Sequence, residues 1–306
     1  MLAEAAVQLP TLYSCGFKLD GEPEHLGLLR DSSAIVHDAE ALQGRMAEDG
    51  YLFLPGALNR DDVLAARHAI TSRMFADGVM HPDRPHEEGV VRPGAGGHFR
   101  PDWAKNPAVQ RALYAGPMME IFTRLLGGAV RHYDYTWLRT VGPGHGTTSH
   151  CDVVYMGRGT HNLYTAWTPM GDISFDLGGL MILENSHRNQ RLRDTYCKKD
   201  VDTYCTNKPG VNGWSSPFGG NLTGNANQIR RSVGRGGRWL TTEYKAGDVL
   251  IFSIFTIHAS LDNRSVDRFR ISTDSRYQLA SEPVDERWVG ETIIAHGPAG
   301  KRGRIC

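Results

Sequence analysis

Three places in the chain carry a histidine followed two residues later by an aspartate: His81-Pro82-Asp83, His132-Tyr133-Asp134 and His150-Cys151-Asp152. Such a pair can offer two ligands to one metal ion, because side chains i and i+2 leave an extended backbone from the same face. A second histidine from elsewhere completes two imidazoles and one carboxylate on one face of the ion. That set is the facial triad of non-haem Fe(II) oxygenases, which leaves three positions open for cosubstrate and oxygen. His258, at the end of the apolar run Val249 to Ile257, is the expected distant histidine.

Spacing alone does not choose among the three triples. His81 and Asp83 lie in a Pro-, Asp-, Arg- and Glu-rich stretch that reads as a loop. His132 and Asp134 lie in an expected strand, Ala129 to Thr140. His150 and Asp152 follow the turn-rich Val141-Gly-Pro-Gly-His-Gly146, which sets them at a strand entrance. Val249 to His258 reads as one strand buried on both faces, and a histidine ending such a strand is more often a hydrogen-bonded core residue than a ligand. Beyond it, strict alternation puts Arg268, Arg270, Ser272, Asp274 and Arg276 on one face, against Phe269, Ile271, Thr273 and Tyr277. The charged face is either a solvated exterior or a polar interior. In an interior, an arginine presents a planar fork that binds a carboxylate through two parallel hydrogen bonds.

The elements that must position these residues come in two textures. Asp38 to Asp49, a helix capped by Asn59, a helix starting at Asn106-Pro107 and Pro117 to Leu126 make the first half helix-rich. From Ala129 the chain turns to strands: Ala129–Thr140, Asn162–Trp167, Leu180–Leu183, Arg238–Tyr244, Val249–His258 and Arg268–Tyr277. Helices followed by an antiparallel-looking strand run imply a mainly β jelly roll or sandwich with added N-terminal helices. Residues 78–101 are an expected flap or loop. Residues 188–237, long, Gly-rich and placed between the two halves of the ligand set, are an expected lid.

Composition bounds the partners. Lys+Arg and Asp+Glu are both 34, so zero formal charge gives no argument for nucleic acid or an anionic membrane. No apolar run reaches the ~18–20 residues of a membrane span. Five scattered cysteines, at 15, 151, 197, 205 and 306, and a start without a signal-peptide pattern fit free thiols in a reducing cytoplasm. Nothing in the sequence sets an oligomeric state.

Ser149-His150-Cys151-Asp152, His258-x-Ser260-x-x-Asn263-x-Ser265, Arg270-x-Ser272 and Arg276-Tyr277 together resemble the phytanoyl-CoA dioxygenase family of Fe(II)/2-oxoglutarate oxygenases. Thr165 to Asp172 and Gly178 to His187 are similar to its central strands. The likeness covers about residues 135–277 and is weaker over the helical half, at Asp49-Gly50-Tyr51. It favours the triple at 150–152. The resemblance implies a double-stranded β-helix (jelly roll, cupin-like) core with N-terminal helices. It implies one oxygenase domain over 1–306, with a helix-rich region over 1–128, a core over 129–280 carrying the insertion 188–237, and a tail over 281–306. It implies Fe(II) held by His150, Asp152 and His258, with Arg270, helped by Ser272, on the distal carboxylate of 2-oxoglutarate. It implies hydroxylation of a small molecule by O2, coupled to decarboxylation of 2-oxoglutarate to succinate and CO2. A carboxylate at 152, where Gly or Ala would admit halide, points to hydroxylation, desaturation, ring closure or epimerisation. The spacing from His258 to Arg270 is one residue longer than usual, which keeps Arg268 as a minor candidate. Glu184-Asn185 replaces the more common Pro-Gly before Ser186-His187.

Two alternatives stand beside this: a non-catalytic metal-binding module, and a cupin-type iron protein without 2-oxoglutarate. Arg270-x-Ser272 counts against the second. His145, Tyr155, Arg158, His161, Trp214, Arg230 and Arg231 are candidates to face a polar substrate, each read first as structural.

Overall fold

Local rules set the helical half. Asp38 accepts a hydrogen bond from the Ala41 amide at the start of helix α1 (Ala39–Asp49). Gly50, at φ 76°, closes it. A Cβ at Gly50 would come within 2.3 Å of the His187 ring, so conformation and space both demand glycine. Asn59 caps α2 (Arg60–Ala76) on the amides of Asp61 and Asp62. Asn106 and Pro107 open α3 (Pro107–Tyr114), and Gly127 ends α4 (Pro117–Leu126). The four helices lie where the sequence places them. The computed structural model describes residues 9–207, 219–233 and 236–305.

Two sheets follow. The larger has the order Tyr51–Leu54, Val249–Ser253, Leu163–Pro169, Arg270–Leu279, Trp137–Val141, His98–Phe99, with Val130–His132 also pairing Arg270–Leu279. All of these pairings are antiparallel. The smaller runs His258–Ser260, Leu180–Leu183, Trp239–Thr241, Leu26–Leu28, the last pair parallel. The segment before the first helix thus supplies an edge strand, Leu26–Leu28.

Period-2 alternation sorts the larger sheet's faces. Val249 and Ile251 pack with Leu42, Ile70, Leu113 and Phe122 of the four helices. Leu250 and Phe252 pack with Leu180, Ile182 and Leu240 of the smaller sheet. All four strand residues are fully buried, as the two-sided apolar run requires. Truncating one, as in Ile251→Ala, carries the usual core cost of about 2–5 kcal/mol.

Several boundaries differ from expectation. Val249 to His258 is not one strand. The Thr256 amide bonds back to the Ser253 carbonyl at 2.8 Å, and the Thr256 hydroxyl donates to Gly50 O at 2.8 Å. This turn carries the chain from the larger sheet to the smaller, so His258 begins a strand. Ala129 to Thr140 splits into Val130–His132 and Trp137–Val141, because the Asp134 amide bonds the Trp288 carbonyl rather than a sheet neighbour. The insertion is not structureless: it holds helices Gln190–Asp194 and Ala226–Ser232 and a strand Thr203–Cys205 paired with Arg302–Arg304. Cys15, Cys151 and Cys197 are free thiols, but Cys205 is disulfide-bonded, contrary to the expectation of free thiols throughout. Scattered spacing in the sequence carried no signal of that bond. Among the described residues no helix is long and apolar enough to cross a membrane.

Candidate metal centre

His150 and His258 face each other across an antiparallel bridge, each amide bonded to the other's carbonyl at 3.1 and 3.0 Å. Both imidazoles are oriented by their own chain. His150 Nδ1 lies 2.8 Å from Thr148 O, and His258 Nδ1 lies 3.1 Å from Thr256 O. A carbonyl only accepts, so each Nδ1 carries the proton and each Nε2 presents a lone pair inward. Asp152 does not continue an extended strand, as the i, i+2 argument supposed. Its backbone turns helical (φ −66°, ψ −26°) and caps the short helix Val153–Met156. That turn points its carboxylate between the two rings, with Oδ1 3.7 Å from His150 Nε2 and 3.6 Å from His258 Nε2.

Asp152 Oδ2 is already occupied. It accepts from Thr165 Oγ1 at 2.5 Å and from Arg276 Nη2 at 2.8 Å, which leaves Oδ1 for a ligand. The three residues are 7%, 2% and 4% exposed. Burial pushes the His150 imidazole down to about 3, helped by His258 beside it. Burial alone would raise the Asp152 carboxyl, but Arg276, His258 and His150 outweigh it and hold it below the usual carboxylate range. Two imidazole Nε2 atoms and an ionised carboxylate converging on one point fit a divalent cation.

The charged face of Arg270–Leu279 lines the same cavity. Arg139, Trp167, Arg270, Asp274 and Arg276 surround it together with the triad. The sequence left that face undecided between exterior and interior; it is interior, since Arg270 is 1% exposed and Arg276 2%. Nε and Nη1 of Arg270 and Oγ of Ser272 have no hydrogen-bond partner. Burial lowers the Arg270 guanidinium to about 10, against the opposing pull of Asp274. A desolvated, unpaired guanidinium costs several kcal/mol, a cost that an anionic ligand with two oxygens would offset. Arg268 is exposed and bridges to Val90 at the edge, whereas Arg270 lines the cavity.

The rival triples do not converge. His132 stacks on Tyr114 at 4.1 Å, and Asp134 accepts from the Gly290 amide at 2.8 Å. His81 Nδ1 accepts from the Asp83 amide at 3.3 Å. Of the proposed substrate-facing residues, Tyr155 alone among the described ones lies against the triad, its ring 5.5 Å from that of His150. Arg158 pairs with Asp200, Arg230 and Arg231 with Asp20, and His161 packs on Phe255. No side-chain contact places His145 at the triad, and Trp214 lies outside the described residues. Sequence reasoning missed Thr165, Arg139 and the role of Arg276 on Asp152. Arg276 was findable, since it shares the alternating face with Arg270; Thr165 carried no signal.

A sequence model of the phytanoyl-CoA dioxygenase (PhyH) family matches residues 46–272. The 1-deoxypentalenic acid 11-beta-hydroxylase of Streptomyces exfoliatus is 25% identical over 269 residues, covering 82% of this chain and 85% of that protein. The solved structure of SnoK, a non-haem alpha-ketoglutarate-dependent carbocyclase from nogalamycin biosynthesis, is similar with a TM-score of 0.59 at 18% identity, covering 88% of this chain and 93% of that one. The epimerase SnoN in complex with Fe3+, alpha ketoglutarate and nogalamycin RO gives a TM-score of 0.52 at 20% identity, covering 83% and 87%. These two likenesses show a common fold.

Proposed function

The chain belongs to the phytanoyl-CoA dioxygenase family, and from that premise we propose which residues serve its chemistry and on what kind of molecule. It is an Fe(II)- and 2-oxoglutarate-dependent dioxygenase. His150 Nε2, Asp152 Oδ1 and His258 Nε2 hold the Fe(II), and Arg270 with Ser272 holds the distal carboxylate of 2-oxoglutarate. When bound, iron and cosubstrate supply the oxidising power: O2 is consumed, 2-oxoglutarate becomes succinate and CO2, and one oxygen atom goes to the substrate. The chain's own role is orientation. Thr148 and Thr256 fix the imidazole tautomers, Thr165 and Arg276 aim Asp152, and the walls of the cavity exclude bulk water. The substrate is a small molecule and the outcome hydroxylation, by likeness to the 1-deoxypentalenic acid hydroxylase. The two packed sheets are read as a double-stranded β-helix core, with 1–306 as one oxygenase domain.

The observation that carries this reading is the buried Arg270 fork left without a partner inside the triad's cavity. A metal-binding module or a cupin without 2-oxoglutarate has no use for it. Succinate release from 2-oxoglutarate, with Fe(II) supplied and air admitted to the anaerobic protein, tests the reading. No succinate with any candidate substrate, in protein shown to bind Fe(II), would overturn it.

A further inference from the structure

A second group of metal-type ligands lies on the opposite, helical side of the larger sheet. His68 on α2 and His86 and Glu87 on the turn His86–Glu88 bring one ligand atom each within 4.8 Å of one another. Glu87 Oε1 is the hub, 3.2 Å from His68 Nδ1 and 3.2 Å from His86 Nε2. Thr71, fully buried, holds the His86 ring from its other side, its Oγ1 3.0 Å from His86 Nδ1, while Ser72 Oγ lies 3.4 Å from His86 Nε2. Two imidazole nitrogens on one carboxylate oxygen are held there by a proton or by a cation.

We propose that His68, His86 and Glu87 form a second divalent-cation site, of the zinc class, separate from the iron triad. Two imidazoles and a carboxylate with an open fourth position for water suit Zn2+. Tetrahedral bonds of ~2.0–2.1 Å put neighbouring donors ~3.3 Å apart, close to the 3.2 Å that separates Glu87 Oε1 from each imidazole. All three residues reach solvent, with side chains 61%, 23% and 53% exposed for His68, His86 and Glu87, so an ion enters without unfolding. Arg67, which donates to Glu87 O at 3.0 Å, is the nearby opposing charge. The ion ties α2 to the segment 78–101. The far end of that segment, His98–Phe99, pairs with Trp137–Val141, the strand that carries Arg139 into the triad's cavity. A bound cation thus stiffens a wall of that cavity from a distance.

Zinc titration of the full chain, read by calorimetry and native mass spectrometry, tests this in two backgrounds. In His150→Ala/His258→Ala protein, where the triad is disabled, one equivalent of Zn2+ is expected, lost on adding His68→Ala or Glu87→Gln. In the unaltered chain, each of those two surface substitutions is expected to lower the zinc count by one. Zinc should also slow proteolysis within 78–101 in the unaltered chain and not in His68→Ala. A zinc count unmoved by His68→Ala and Glu87→Gln in either background overturns the proposal and leaves a proton as the bridging charge. Either result is independent of the iron and 2-oxoglutarate reading.

Discussion

Arg276 holds Asp152: its Nη2 lies 2.8 Å from Asp152 Oδ2, with both side chains 3% exposed. The guanidinium is itself fixed over the Trp137 ring, 4.1 Å from its centroid, a contact that disfavours other rotamers. Arg276→Gln keeps a hydrogen-bond donor but removes the charge and the planar fork. Metal affinity should fall roughly 10–100-fold, the range typical when the partner of a ligand is lost. Fe(II) or Mn(II) titration of the anaerobic variant checks this, with circular dichroism to confirm the fold. An unchanged affinity would mean that Thr165 alone suffices to aim the carboxylate.

The ligand assignment is tested by contrast. His150→Ala, Asp152→Ala and His258→Ala should each abolish Fe(II)-dependent turnover with the fold retained. His132→Ala and Asp134→Ala should keep metal affinity, since those side chains serve the Tyr114 stack and the Gly290 amide. If Fe(II) binding instead needs 132 and 134 and not 150 and 152, the site lies elsewhere.

What was legible in the sequence was whatever a local rule sets. Asn59, Pro107, Gly50 and Gly127 mark helix ends through backbone chemistry that acts within a few residues. The alternation from Arg268 to Tyr277 separated the cavity face from the helix-packed face correctly, yet could not say which side was wet. The illegible features are those set at long range. The turn at Ser253 to Ile257 breaks an apolar run that looks continuous, because Thr256 finds Gly50 some two hundred residues away. Asp152 leaves the extended conformation for a similar reason: its Oδ2 is claimed by Thr165 and Arg276 from other strands. The three residues that the motif singled out do converge, while the backbone reason offered for the convergence was wrong.

The tail and the insertion are joined by buried charge. Arg287, fully buried, donates to Asp285, Asp202 and Asp200, and Asp202 also accepts from His296 Nδ1 at 2.8 Å and Lys301 Nζ at 2.6 Å. Burial pushes the Asp202 carboxyl up, but His296, Lys301 and Arg287 more than reverse it, so its folded value lies below the ordinary range. A carboxyl depressed in the folded state stabilises above its unfolded value and loses that contribution as pH falls through the folded one. Arg287→Ala leaves the carboxylates uncompensated and should cost about 3–5 kcal/mol. Thermal unfolding at pH 7 and at pH 4 checks both statements. The variant should melt well below the parent at pH 7, and the gap should narrow in acid, where the orphaned carboxylates take up protons.

The insertion is anchored beside the ligands, which bears on whether it moves. Ser149 pairs with Thr223, and the Leu222 amide bonds Ser149 O at 2.8 Å. Tyr196 donates to Gly220 O and accepts from the Cys151 amide. With those contacts as hinges, the described parts of the expected lid, 188–207 and 219–233, are proposed to close over substrate; residues 208–218, 234 and 235 lie outside the described residues. Limited proteolysis should cut the segment in metal-free protein, and cut it less when Fe(II), 2-oxoglutarate and substrate are all present. Equal cutting in every state would count against a lid.

The sharpest test concerns the far carboxylate of 2-oxoglutarate. Arg270 is 1% exposed, has two unpaired donor nitrogens and shares a strand face with Ser272, whose hydroxyl is also unpaired. Truncating one partner of a buried, hydrogen-bonded charge pair costs roughly 2–5 kcal/mol. At ~1.4 kcal/mol per decade, that is on the order of 30-fold or more in affinity. Arg270→Ala should raise the 2-oxoglutarate Kd by at least that factor while Fe(II) binding, set by the triad, barely changes. Arg270→Lys should recover only a fraction of it, since an ammonium cannot reproduce two parallel bonds. Arg268→Ala is the control: exposed at the sheet edge, it should leave the Kd unmoved. Calorimetric titration of 2-oxoglutarate into Mn(II)- or Fe(II)-loaded anaerobic protein measures all three. Loss of affinity in Arg268→Ala with none in Arg270→Ala would move the assignment to Arg268. No loss in either would remove 2-oxoglutarate from this cavity, because no other buried guanidinium in it stands with two free donors and without a carboxylate already bound among the described residues.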